Sequence, residues 1–177
     1  IANGMTLKAA SLRGVDSYGM LCSEKELGAS EDGSGIWILD SDTPLGIDFI
    51  KYAVLKDIII DIAILPNRGD CQSIFGLARE ISSLLDVPLK PLDCSIKSSV
   101  IKHNFTVQVD DPILCPYYSG RVITDIKHTT TPIWMKRRLE LAGIRPVSFI
   151  VDVTNYVLIE CGQPLHAFDT TKLQSTH

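Results

Sequence analysis

The sequence has little that would place it in a membrane. Its longest apolar run, Ile58–Leu65, is interrupted by Asp61 and falls far short of the roughly 20 residues a bilayer span needs. Ile1–Ala10 has neither a basic start nor an apolar middle, so a secretory leader is not expected. The cysteines show no pairing pattern: Cys22, Cys71, Cys94, Cys115 and Cys161 are odd in number, and none stands at CxxC spacing. That argues against a zinc site and a disulfide framework, and for reduced thiols in a cytoplasmic protein. Basic charge is also scarce. Residues 1–52 carry four Lys/Arg against eight Asp/Glu, and 53–115 carry six against eight. Only 116–177 are basic, seven against five, for a net −4 over 177 residues. A general electrostatic grip on nucleic acid is therefore not written into the composition, and any RNA contact is expected to be local or to draw on parts of a longer chain. Methionine is missing at position 1, and no closing element is evident at Leu173–His177. A segment of a longer chain is expected.

Glycine, by contrast, punctuates residues 1–52, as in a small all-β unit. Tyr18–Cys22 and Ile36–Leu39 are predicted strands, Ser23 caps a helical turn between them, and Asp42–Gly46 is a turn. Asp57–Leu65 is β-branched and forms the clearest predicted strand, closed by Pro66. Asp70 is the expected N-cap of a helix running to about Asp86. Ile74, Leu77, Ala78, Ile81, Leu84 and Leu85 give that helix one apolar stripe. A linker follows. Phe105, Val107 and Val109 alternate with polar residues as in a half-buried strand, Asp110–Pro112 turn, and Ser119–Ile123 form another strand.

Thr131 and Pro132 are expected to open a helix as N-cap and first residue, with Trp134, Met135, Leu139 and Ala142 on it and Gly143 at its end. Lys136, Arg137 and Arg138 read as a solvated face. Ser148 is the expected cap of a helix to about Cys161, stopped by Gly162, with Ile150, Val153, Val157 and Cys161 buried. The competing assignment is a strand, because Val, Ile, Thr and Tyr abound. Leu165–Phe168 follow in extended form.

Polar groups concentrate among apolar ones in Gly143–Asp169, a mixture that fits a lined pocket better than a plain core. His166 is able to position a water or a hydroxyl, or to sit in a turn satisfied by backbone. Arg145 is held out of helix by Pro146 and either binds a phosphate or forms a salt bridge. Asn155 either meets a substrate or joins a network that holds Gln163 or a loop. No Ser-His-Asp or Cys-His arrangement is apparent, and Cys161 reads as a core thiol. Asn67 and Arg68 read as a turn, with Arg68 paired to Asp70 or Asp61.

Six words in order carry a resemblance that covers nearly the whole chain: GMLCSEKELG (19–28), PNRGDC (66–71), CPYYSGRVI (115–123), AGIRP (142–146), VDVTNYV (151–157) and GQPLHAFD (162–169). The sequence resembles the β subunit of bacterial phenylalanyl-tRNA synthetase. The resemblance implies an α+β chain with three parts: an incomplete OB-type β-barrel portion, a small α/β unit and the N-terminal part of an α/β editing domain. It places the end of the tRNA-binding OB-fold domain at 1–52, the connecting unit at 53–90, a linker at 91–104 and the start of the editing domain at 105–177.

In the family, aminoacylation takes place on the α subunit of an α2β2 assembly with ATP and magnesium, while the β subunit binds tRNA(Phe) and hydrolyses mischarged tyrosyl-tRNA(Phe). By resemblance, His166, Arg145 and Asn155 are catalytic residues of the editing pocket, with Thr154 and Gln163 lining it. Ser17, Met20 and Ser23 lie on the tRNA-binding face, although Met20 is expected in the core. An acidic residue that reads the tyrosine hydroxyl is expected beyond His177. No metal ligand or bound cofactor is expected on this segment, which is expected to be inactive alone. Two other classes stay open: a free-standing RNA-binding module, and a scaffold for the α subunit.

Overall fold

Local capping decides where regular structure forms. A computed structural model describes residues 1, 4–96, 105–127 and 130–173. It gives an α+β chain with one two-stranded sheet and four α-helices among the described residues. Two compact units emerge, each discontinuous in sequence: Ile1–Asp61 with Pro132–Arg145, and Ile62–Thr131 with Pro146–His177.

In the first unit, β1 (Ala10–Leu12) and β2 (Val15–Ser17) pair antiparallel, Ala10 opposite Ser17 and Leu12 opposite Val15. Arg13 and Gly14 between them both take positive φ, 52° and 81°, the geometry whose twist matches a tight hairpin. The strands expected at Tyr18–Cys22 and Ile36–Leu39 do not form a ladder. A single backbone bond joins them, from the Trp37 N–H to the Cys22 carbonyl at 2.9 Å.

Ser23 caps its turn as expected, in a reciprocal box. Its hydroxyl accepts from the Glu26 N–H at 3.2 Å, and Glu26 accepts from the Ser23 N–H at 2.8 Å. Gly28, at φ 73°, ends the turn. An unexpected short helix, α1 (Phe49–Tyr52), is capped by Asp48, which accepts from the Ile50 N–H at 3.1 Å. Phe49 meets Trp37 edge-on, with ring centroids 5.2 Å apart.

The core of this unit is Ala29, Ala53, Met135 and Leu139, the last two supplied by α3 (Ile133–Leu141). Gly143, at φ 79°, terminates α3 as expected. Thr131 is not its N-cap: Pro132 holds that position without a side-chain bond. Arg137 is not on a solvated face either. Its side chain keeps 14% of its surface exposed, donates to the Ala29 carbonyl at 2.7 Å and pairs with Glu140 at 2.6 Å. Periodicity hides this, because Arg137 stands two residues from both Met135 and Leu139 and so off their face of the helix; the Ala29 carbonyl and Glu140 are what cover it.

Asp57–Leu65 is not a strand. Its backbone finds no ladder among the described residues, and Ile58 is 83% exposed. β-branching supplies propensity, but only a neighbour supplies hydrogen bonds. The same holds for Phe105–Val109 and Ser119–Ile123, although Val107 does lie against Gly120. Asp110–Pro112 turn as expected, with Asp111 accepting from the Ile113 and Leu114 N–H groups at 3.0 Å each. The expected linker, 91–104, lies outside the described residues from 97 onward.

In the second unit, α2 (Ile74–Leu85) is capped by Ser73, not Asp70. The Ser73 hydroxyl accepts from the Gly76 N–H at 3.0 Å. Asp70 instead sits in a short 3-10 turn, Gly69–Cys71. Asp86 closes the helix in the left-handed conformation, φ 51°. The expected apolar stripe is largely uncovered, with Ile74, Ile81, Leu84 and Leu85 exposed. The buried residue of α2 is Gly76, whose hypothetical Cβ would lie 1.9 Å from the Asp70 carbonyl oxygen. Glycine inside a helix costs about 1 kcal/mol against alanine, and here the close approach of the 3-10 turn requires it. Gly76→Ala is therefore expected to destabilise the protein by roughly 2–4 kcal/mol in urea denaturation. Gly69→Ala, which faces open space, should stay within about 0.5 kcal/mol.

Candidate functional site

Helix α4 (Phe149–Cys161) carries the chemistry-bearing stretch, and the helical assignment with Gly162 as its stop holds. Gly162 takes φ 76° and would place a Cβ 3.3 Å from Ser73 Cβ at the start of α2. The expected buried stripe does not form. Val153 and Val157 are half-buried, while Ile150 and Cys161 are exposed. The deeply buried residue is Asp152, at 1%.

Ser148 sits at the cap position, but its side chain makes no capping bond. Asp152 supplies the polar closure instead. One carboxylate oxygen accepts from the Val147 N–H at 2.8 Å, and the other accepts from the Thr131 hydroxyl. A carboxylate in the first turn also suits the positive end of the helix. Sequence reasoning passed over Asp152; the signal was a lone charge inside the apolar run Phe149–Val153.

Thr154 and Asn155 follow in the same helix and are half-buried, the Thr154 hydroxyl donating back to the Val151 carbonyl at 2.8 Å. Beyond Gly162, Gln163 and His166 are exposed. The Gln163 amide donates to the Pro164 carbonyl at 3.2 Å. The His166 ring lies 6.4 Å from the Phe168 ring, tilted by 40°. Among the described residues, no hydrogen bond joins Thr154, Asn155, Gln163 and His166 to one another.

Cys161 is neither core nor activated. Desolvation first, then Glu160 and Cys94, push its thiol up, which keeps it protonated at neutral pH and a poor nucleophile. Arg145 belongs to the first unit and is exposed, with no ion pair among the described residues. Of the other first-unit candidates, Ser17 donates to the Gly19 carbonyl at 3.1 Å. Met20, expected in the core, is 40% exposed. Ser23 is buried and committed to its capping box.

A second polar cluster surrounds Arg68, where the expected turn is found. The guanidinium grips Asp70 through two bonds of 3.0 Å, reaches Glu80 at 2.6 Å and meets Cys71 Sγ at 3.1 Å. Asp61 is not the partner, and Glu80 went unanticipated because it lies twelve residues away, on α2. Asp70, Cys71 and Glu80 present ligand-type atoms within 4.8 Å of one another, but Arg68 already supplies the cation they face. Its bonds hold the Asp70 carboxyl down to about 2 and lower that of Glu80 as well. The paired carboxylates push the arginine up in turn, and burial raises the Cys71 thiol.

Residues 114–177 match the B3/4 domain, a span that includes Thr131, Asp152, Asn155 and His166. The similarity extends well beyond it. The chain is 48% identical to the phenylalanine–tRNA ligase β subunit of Syntrophus aciditrophicus over 171 residues, which is 96% of this chain and 21% of the relative. Against the same subunit of Methylococcus capsulatus it is 46% identical over 170 residues, 96% of this chain and 22% of the relative. Against that of Oleidesulfovibrio alaskensis it is 44% identical over 174 residues, 97% and 22% respectively. Along nearly its whole length the chain is similar to these β subunits, as its six words implied, and it spans 21–22% of their length.

The Arg68 cluster gives a pH dependence of stability. The Asp70 carboxyl is lowered from its ordinary 3.8 to about 2, so its stabilising effect is complete above pH 4 and is lost as pH falls toward 2. The urea midpoint of the protein should fall over that window. Asp70→Asn should start lower at neutral pH, and its difference from the parent should close as pH 2 is approached. A gap that stays constant across the window would show that the pairing does not act as described.

Proposed function

We propose that the chain is a segment of a phenylalanine–tRNA ligase β subunit, with residues 1–52 from its tRNA-binding OB-fold domain and 105–177 from the start of its editing domain. Residues 53–90 connect the two, with 91–104 as linker. The observation that carries the proposal is identity of 44–48% to named β subunits along 96–97% of the chain. The complete enzyme then joins phenylalanine to tRNA(Phe) on the α subunit of an α2β2 assembly, using ATP and magnesium in the cytoplasm.

This segment contributes to hydrolysis of tyrosyl-tRNA(Phe). Water adds to the ester carbonyl, the terminal ribose hydroxyl leaves with a proton, and free tyrosine is released. His166 and Asn155 position the water and the ester through hydrogen bonds, and Arg145 binds the 3′ end of the tRNA. Thr154 and Gln163 line the pocket. The exposure of His166 and Gln163 and the half-burial of Asn155 leave these groups free to meet a ligand. Hydrolysis proceeds through a positioned water, with no covalent intermediate. Ser17 and Met20 meet tRNA, while Ser23 shapes the same segment from within.

Deacylation of tyrosyl-tRNA(Phe) by the complete enzyme tests the assignment. His166→Ala should slow hydrolysis by about 100-fold and leave phenylalanylation intact. Unchanged hydrolysis would remove His166 from the site.

A further inference from the structure

We infer that Asp152 is a positioning residue for the hydrolytic site, clasping the two points where the chain leaves and re-enters the second unit. The inference rests on the editing role proposed above. The chain departs from this unit after Thr131, contributes Pro132–Arg145 to the other, and returns at Pro146. Asp152 grips both sides of that excursion: Thr131 through its hydroxyl, and Val147 through its backbone N–H at 2.8 Å.

Capping alone does not explain an aspartate there. Ser148 already stands at the cap in extended geometry, and its side chain is not used for the purpose. A buried carboxylate with both oxygens satisfied fixes direction as well as position, because neither partner can be lost without leaving a buried charge short of a bond. Thr154 and Asn155 lie two and three residues further along the same helix. The clasp therefore sets how the first turns of α4 present them. Small displacements of positioned groups are costly in catalysis.

The complete enzyme, with Thr131→Val, Thr131→Ser and Asp152→Ala in the β subunit, provides the test. Thr131→Val and Asp152→Ala should lower kcat for tyrosyl-tRNA(Phe) deacylation by about tenfold or more, with KM and the rate of phenylalanylation little changed. Thr131→Ser, which keeps the hydroxyl, should retain most of the hydrolysis. Thr131→Val removes one bond and preserves shape, so it decides the matter even where Asp152→Ala folds poorly. His166→Ala is measured alongside. A loss there, with none in Thr131→Val and Asp152→Ala, overturns the positioning role. A loss in those two with none in His166→Ala supports it and removes His166 instead. Equal losses of hydrolysis and phenylalanylation mark a general structural defect and also overturn it. No hydrolysis by the unaltered enzyme overturns the editing role itself.

Discussion

A carboxylate withdrawn from water is costly unless its oxygens are satisfied, and Asp152 is both fully buried and bonded on each oxygen. Much of the second unit hangs on that arrangement. Among the described residues, its buried ones are few and mostly small or polar: Cys71, Ser73, Gly76 and Asp152. Order there comes from satisfied hydrogen bonds and close backbone approach more than from apolar volume. α4 is held at one end by Asp152 and at the other by Gly162 against Ser73. Ser73 also caps α2, so the start of one helix and the end of the other share one small residue. Thr154 and Asn155 lie between these anchors, and Gln163 and His166 emerge just past the second.

Helices were more legible than strands. Gly143 and Gly162 marked two helix ends, and Asp86 ended α2 where expected, because termination is a local matter of backbone geometry. Caps were less certain. Asp70 and Ser73 are both good N-cap residues three positions apart, and what separates them is Arg68, which takes Asp70 for an ion pair and leaves Ser73 to the helix. The run Asp57–Leu65 failed as a strand for a different reason. Pairing is non-local, and no property of those nine residues states which neighbour completes them. The hairpin at Arg13-Gly14 escaped notice because arginine is an unusual residue at a positive-φ turn position.

The chemistry was legible in type more than in arrangement. The polar residues of the last third were visible as candidates, but their surroundings were not. Gln163 turns to its own neighbour's carbonyl and Cys161 is exposed, whereas Arg137, dismissed as surface, lies largely buried beneath the Ala29 loop. Asp152 was hidden inside the very word, VDVTNYV, that pointed to Asn155. Motif reasoning favours residues that a ligand would touch. A group whose work is to hold its own backbone carries the same letter and draws less notice.

The discontinuity of the first unit has a bearing on synthesis. Ala29 and Ala53 emerge early, but Met135 and Leu139, which complete their core, are translated much later. At ordinary elongation rates the wait is on the order of 10 s. During that interval the earlier part of this unit has no finished interior. Slow codons placed between the two halves would lengthen the wait without altering a single contact in the finished molecule.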